Sequence, residues 1–352
     1  MEFDDFIATA VKERASDLFL KGNAPPAIRV DGKIQQLPAE PLTSDQIRDM
    51  AYNIMSPEQI SKFERTHEMD TAFTYEDICR FRVNVYRQRG MVGMVLRLIP
   101  LKIFTLEDLG MPQVISQMCT LRQGLVLVTG PTGSGKSTTL AAMIDLINRT
   151  RSSNIITVED PIEFVHPDKK SIVNQREVSI DTASFTDALK YVVRQSPDVI
   201  LIGEMRDVET MNVALAAAET GHLVFSTVHT VSASDTLERI INMFPPHQKN
   251  QICLRMSNSL MGIVSQKLLP RATGKGRVAA VEILVATPTT VKLIEEGRSG
   301  QLYNAISEGQ FFGMQTMNQC LDRYFKQGLI TEEEALASAG NLTELKQMLR
   351  RN

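Results

Sequence analysis

The chain has 352 residues, 43% hydrophobic and 22% charged, an ordinary globular composition with length enough for two domains. A formal net charge of −3 disfavours bulk nucleic-acid binding, which shows as a basic face or domain. The four cysteines lie far apart with no Cys-x-x-Cys pair, which argues against a disulfide framework or a zinc site, and no apolar run approaches the roughly 20 residues of a membrane span.

The start, Met1-Glu-Phe-Asp-Asp-Phe, carries acids where a signal peptide needs positive charge, so a cytoplasmic protein is expected. Phe3, Phe6, Ile7, Ala10 and Val11 recur at helical spacing and predict a short amphipathic helix. Ala27 to Gln35 reads as a hairpin turning at Asp31-Gly32. Thr43 with Gln46, and Ser56-Pro57 with Gln59, cap two helices. The stretch Arg80 to Arg89 alternates, with Phe81, Val83 and Val85 on one face and Arg80, Arg82, Asn84 and Tyr86 on the other. Arginines on such a face commonly mark solvated surface. Arg97, inside the apolar strand Met94 to Ile99, is harder to assign to surface. Residues 1–99 are expected to form a small α+β domain, and 100–123, broken by Gly110 and Pro112, a hinge and lead-in helix.

From Gly124 the pattern changes to apolar strands alternating with long helices, which predicts an α/β domain over 124–352 with a parallel sheet covered on both faces. Ligands of such sheets lie beyond the carboxyl ends of the strands, so four strand ends are informative. Leu125 to Thr129 runs into Gly130-Pro131-Thr132-Gly133-Ser134-Gly135-Lys136-Ser137-Thr138, a complete Gly-x-x-x-x-Gly-Lys-Ser phosphate loop between strand and helix. Small residues there let backbone N–H groups curl around a nucleotide's phosphates, Lys136 adds a charge, and Ser137 adds a hydroxyl for Mg²⁺.

Ile155 to Val158 ends in Glu159, Asp160 and Glu163, read as water-polarising and Mg²⁺-organising acids. Val199 to Ile202 emits Glu204, a Walker B glutamate expected to hold the Mg²⁺ shell directly or through water. Asp207 is expected to cap the helix Val208 to Glu219. His229 follows the strand after Thr220-Gly221-His222 and lies on the ligand edge, placed to donate a hydrogen bond to a γ-phosphate. His222 lies at the strand's opposite end, away from that edge. Beyond this, Ser234 to Asn242 and Gln248 to Ser265 read as helices, and Lys267 to Pro270 and Val278 to Val285 as strands. The rest is helical from Thr287, with an apolar stripe at Met317, Cys320, Leu321, Tyr324 and Phe325 and a capping box at Thr331 and Glu334.

With Gly-Pro-Thr-Gly-Ser-Gly-Lys-Ser-Thr-Thr, Val-Glu-Asp-Pro-Ile-Glu, Ile-Gly-Glu-Met-Arg-Asp and Thr-Gly-His-Leu-Val-Phe-Ser-Thr-Val-His in this order, the chain resembles the PilT/PilU retraction ATPases of type IV pili, within the secretion ATPase superfamily. The resemblance extends over essentially the whole chain, including Ser16-Asp17-Leu18 and Arg80-Phe-Arg. It implies a PAS-like N-terminal domain joined to a RecA-like ATPase domain, assembled as a homohexamer at the cytoplasmic base of the pilus. ATP and Mg²⁺ are the implied cofactors. A PilC-like platform protein of the inner membrane and a paralogous retraction ATPase are the implied partners, with no zinc and no nucleic acid.

Carried over by position, the resemblance implies Walker A at Gly130 to Ser137, Glu163 as catalytic glutamate, Walker B at Glu204, and a histidine box from His222 to His229. It also suggests that Arg80, Arg82 and Arg97 reach nucleotide, as fixed arginines best stabilise transition-state charge. It makes His222 an intersubunit candidate. The Ala-Ile-Arg-x-Leu-Ile-Arg pattern of many PilT proteins is here Thr290 to Glu296, without either arginine. Met91 to Arg97 and Gly313 to Thr316 look closer to PilU. Two other functions fit parts of the pattern: a nucleic-acid motor, which would need a basic pore, and a nucleotide-responsive adaptor, against which the intact Lys136, Glu163 and Glu204 argue.

Overall fold

The computed structural model describes residues 2–13, 15–30, 32–75, 79–99 and 103–350. It divides into two compact units, Met1–Lys102 and Ile103–Asn352. Of the expected linker and lead-in helix, 100–102 lie outside the described residues. From 103 onward the stretch belongs to the second unit, where the helix Gln113–Met118 buries Val114, Ile115 and Met118 beside Val126 and Val128.

Among the described residues the first unit is a six-stranded antiparallel sheet of β1 (Asp17–Lys21), β2 (Ala27–Val30), β3 (Lys33–Gln36), β4 (Glu68–Tyr75), β5 (Cys79–Gln88) and β6 (Met91–Ile99), in the order β3-β2-β1-β6-β5-β4. Gly32 turns the β2–β3 hairpin at a φ of +80°, while Asp31 lies outside the described residues. Helices Phe3–Lys12, Ser44–Asn53 and Pro57–Thr66 contribute Phe6, Ile47 and Phe63 to the core, the last two helices starting in the expected capping boxes. Strand β5 alternates as its sequence predicts: Phe81, Val83 and Val85 are buried and Arg82 is exposed.

Arg97 departs from expectation, because it stands on the exposed face of β6 despite its apolar neighbours. It lies directly across from Arg82 on one side and Asp17 on the other. Its Nε meets Asp17 Oδ1 at 3.0 Å, and Asp17, nearly enclosed, also holds Arg29 at 3.3 Å. A cation in an apolar strand is thus accounted for by the acid on the neighbouring strand.

The second unit is built on β7 (Gly124–Thr129), β8 (Asn154–Glu159), β9 (Ile172–Glu177), β10 (Val199–Ile202), β11 (Leu223–Val228), β12 (Leu260–Pro270) and β13 (Arg277–Val285), ordered β13-β12-β7-β11-β10-β8-β9. All neighbours pair in parallel except β12 with β13. Every residue of β7, β10 and β11 is buried, as a sheet covered on both faces requires. Two expectations fail here. The predicted helix Gln248 to Ser265 stops at Ser259, and Leu260 to Gln266 is the first half of β12. Its apolar part, Leu260 to Val264, lacks either periodicity, and pairing with β7 decides the conformation. At Thr331 only half of the predicted capping box forms: its hydroxyl accepts the Glu334 N–H at 3.2 Å as an N-cap.

Candidate functional site

The sheet order sets β7, β11, β10 and β8 side by side, so their carboxyl ends form one edge. Around that edge lies a cleft of about 430 Å³ lined by Gly133, Lys136, Ser137, Glu159, Glu163, Glu204 and His229, together with Thr132, Gly135, Thr138 and Asp160. A larger cavity of about 1010 Å³, between the helix Gln113–Met118 and Phe311–Phe312, holds none of these groups.

The phosphate loop's shape comes from glycines. Gly130, Gly133 and Gly135 have φ of +147°, +78° and +88°. A Cβ on Gly130 would stand 2.3 Å from the Gln266 carbonyl oxygen, and one on Gly135 would stand 2.8 Å from Gln266 Nε2. Gln266 is thus the loop's floor. Its amide donates to the Ser134 carbonyl at 2.7 Å and accepts from the Thr139 hydroxyl at 2.8 Å. This residue went unrecognised in the sequence because it sits in the stretch read as helix, and no local motif marks it. Lys136 folds back on its own loop, donating to the carbonyls of Gly130 and Pro131 at 2.9 and 3.0 Å. Burial lowers the pKa of its ammonium, while Glu163 and Glu204 oppose that shift. The helix Lys136–Thr150 that follows has no side-chain cap and no acid in its first turn. Its first N–H groups therefore stay available to an anion.

The acids differ in their surroundings. Glu159 is half-buried, and desolvation raises its pKa against hydrogen bonds from Thr157 and Gln175 at 2.7 and 3.1 Å. Glu163 is exposed within the cleft. Glu204 is largely covered, forms an ion pair with Arg206, and approaches His229 Nε2 at 3.6 Å. Burial first, then the Lys136 charge, holds the His229 pKa below the ordinary value, which favours a neutral imidazole. His222 stands before β11, where Nδ1 meets the Ala217 carbonyl at 2.9 Å, while His229 stands after it. The strand separates the two along its length. Asp207 caps its helix through the Thr210 N–H at 2.8 Å, as predicted. His166, 6% exposed and lining the cleft, was not singled out from sequence; its Nδ1 is buried without a hydrogen-bond partner.

Comparison with known proteins gives the same picture across the full length. The chain matches the family profile described as "Type II/IV secretion system protein" over residues 2–311. It is 47% identical to the type IV pilus retraction ATPase PilT of Pseudomonas aeruginosa over 96% of this chain and 98% of that protein. It is 42% identical to the type IV pilus ATPase PilU of the same organism, over 99% and 92% respectively. A crystal structure of the pilus retraction motor PilT with bound ADP superposes with a TM-score of 0.93 at 46% identity, covering 99% of both chains. An antiparallel domain, a RecA-like parallel sheet and this agreement from end to end place the chain in the type II/IV secretion system protein family, within its PilT/PilU group.

Proposed function

We propose that ATP binds in the cleft at the carboxyl ends of β7, β8, β10 and β11, and that its hydrolysis powers retraction of type IV pili. The protein's reading as a retraction ATPase rests on its likeness to PilT over 96% of its length. The observation that carries the chemistry is the meeting of phosphate loop, Glu163 and Glu204 in one cleft. The cradle fits nucleotide phosphates: an uncapped helix start, glycines where a Cβ would collide, and a buried Ser134 hydroxyl with no partner. Among the described residues no cluster of His, Cys, Asp or Glu suits a metal by itself, so Mg²⁺ would be shared by phosphate oxygens, the Ser137 hydroxyl and Glu204, where it would supply charge to the β/γ oxygens.

The chain's own groups divide the work. Lys136 exchanges its two loop carbonyls for phosphate oxygens. Glu163 takes a proton from the water that attacks the γ-phosphorus, with ADP as the leaving group. The neutral His229 donates to the γ-phosphate and shares Glu204 as neighbour. Arg82 and Arg97 supply transition-state cations from outside the cleft's own unit, and His222 serves at a subunit boundary. The working form is proposed as a homohexamer on the cytoplasmic face of the inner membrane, engaging a PilC-like platform protein and a paralogous retraction ATPase. The net charge of −3 favours such partners over nucleic acid.

Lys136→Ala should abolish turnover and weaken ATP binding. Glu163→Gln should keep ATP affinity and lose about 100-fold or more in kcat. Neither should restore twitching to a deletion strain. Hydrolysis at the parental rate by either variant overturns the site assignment.

A further inference from the structure

The loop carrying Glu163 leaves β8 and runs beside β9, the edge strand of the sheet, whose side chains the proposed chemistry does not use. Gln175 of β9 spends its whole amide on that loop. Its Nε2 donates to Glu159 Oε1 at 3.1 Å and to the Phe164 carbonyl at 2.8 Å, and its Oε1 accepts the His166 N–H at 2.8 Å. From the same strand Glu177, 5% exposed, accepts the Ile162 N–H at 3.4 Å. The Glu163 backbone N–H in turn favours the charged form of Glu159. Backbone groups at 162, 163, 164 and 166 are therefore each engaged by a side chain of β8 or β9. The Glu163 side chain itself remains exposed.

We infer that Gln175 is a positioning residue: by tying both Glu159 and the backbone on either side of Val165 to β9, it fixes where the Glu163 carboxylate meets the attacking water. This rests on the reading of Glu163 as the water-activating group. A general base displaced by about 1 Å loses up to about 100-fold in rate without any change in nucleotide contacts. Gln175 touches none of the phosphate loop, so its effect should fall on kcat and spare binding.

Gln175→Met keeps the side chain's length and deletes all three hydrogen bonds. Its kcat should fall about 10- to 100-fold while ADP affinity stays within about threefold. In a Glu163→Gln background the same substitution should cost nothing further, because a positioning residue acts only through the group it positions. Gln175→Glu sets a carboxylate against Glu159 and should also slow turnover, and adding Glu159→Gln should recover about threefold or more. Parental kcat for Gln175→Met beside an inactive Glu163→Gln overturns this inference alone. So does an added loss in the Glu163→Gln background, or an equal loss of ADP affinity. Parental turnover by Glu163→Gln overturns the reading of Glu163 and this inference with it. Should Gln175→Met fail to fold, the exchange of Gln175→Glu with Glu159→Gln decides, and absence of recovery overturns the inference.

Discussion

His166 shows how one side chain's surroundings set a pH response. It is 6% exposed, and burial pushes its pKa down to about 4 from an ordinary 6.5. The unfolded chain therefore binds a proton between those values that the folded chain refuses, so stability rises with pH through this window and the penalty is gone above pH 6.5. The penalty at pH 5 is about 2 kcal/mol. Urea unfolding at pH 7 and pH 5 should show the parent losing that much more than His166→Phe loses. Equal losses in the two proteins would mean that His166 is solvated or already charged. Glu159 carries the opposite shift, since burial penalises its anion and raises its pKa. Of the three acids closing β8, Asp160 and Glu163 both stand exposed at the cleft, whereas Glu159 is half-buried at the end of the strand.

Among the elements, β12 carries a task that its sequence does not advertise. It extends the parallel sheet beside β7 and delivers Gln266 beneath the phosphate loop. The Thr129 hydroxyl donates to Ser265 at 2.9 Å one residue earlier, so two consecutive side chains of β12 brace the loop's entry and its turn. Gln266→Ala leaves the Ser134 carbonyl and Thr139 hydroxyl without their partner in a buried place, a loss of about 1–3 kcal/mol. Part of that loss should fall on binding: ADP affinity measured by calorimetry should drop about tenfold, which is 1.4 kcal/mol. Unchanged affinity with a lowered Tm would show that Gln266 supports the sheet and leaves the loop's shape alone. The long helix after the loop has no such brace at its start, where its uncapped N–H groups stay open to an anion.

Across the whole molecule, the Arg82–Arg97 pair is the feature whose proposed use would depend on assembly. The two arginines face each other across β5 and β6, both exposed, and among the described residues Arg97 has Asp17 as its acid while no ion pair engages Arg82. If these cations serve a neighbouring subunit's nucleotide, Lys136→Ala and Arg82→Ala proteins, each inactive alone, should recover ATP hydrolysis when mixed. Mixtures that stay as inactive as their components exclude donation across subunits. An Arg82→Ala protein hydrolysing ATP at the parental rate would assign the pair to surface. Among the described residues no helix is long and apolar enough to cross a membrane.

Much of this molecule is legible in the residues alone, for a physical reason in each case. Glycines at 130, 133 and 135 before Lys136 serve one backbone shape, the alternation of β5 announces a sheet with one buried face, and Asp207 and Thr43 mark helix starts by the hydrogen bonds their side chains make. These are local effects, and local sequence carries them. Three features were settled only by tertiary structure. Leu260 to Val264 is a continuous apolar run without either period and became a strand because β7 offered a partner. Arg97 faces outward because Asp17, 80 residues away in the chain, is its neighbour across the sheet. The Glu163 loop takes its place from Gln175 and Glu177, on a strand that no periodicity announced. Contacts between residues distant in sequence leave no pattern in either segment. The phosphate cradle is therefore written in the chain, while its floor and the setting of its acids arise only when the strands are laid side by side.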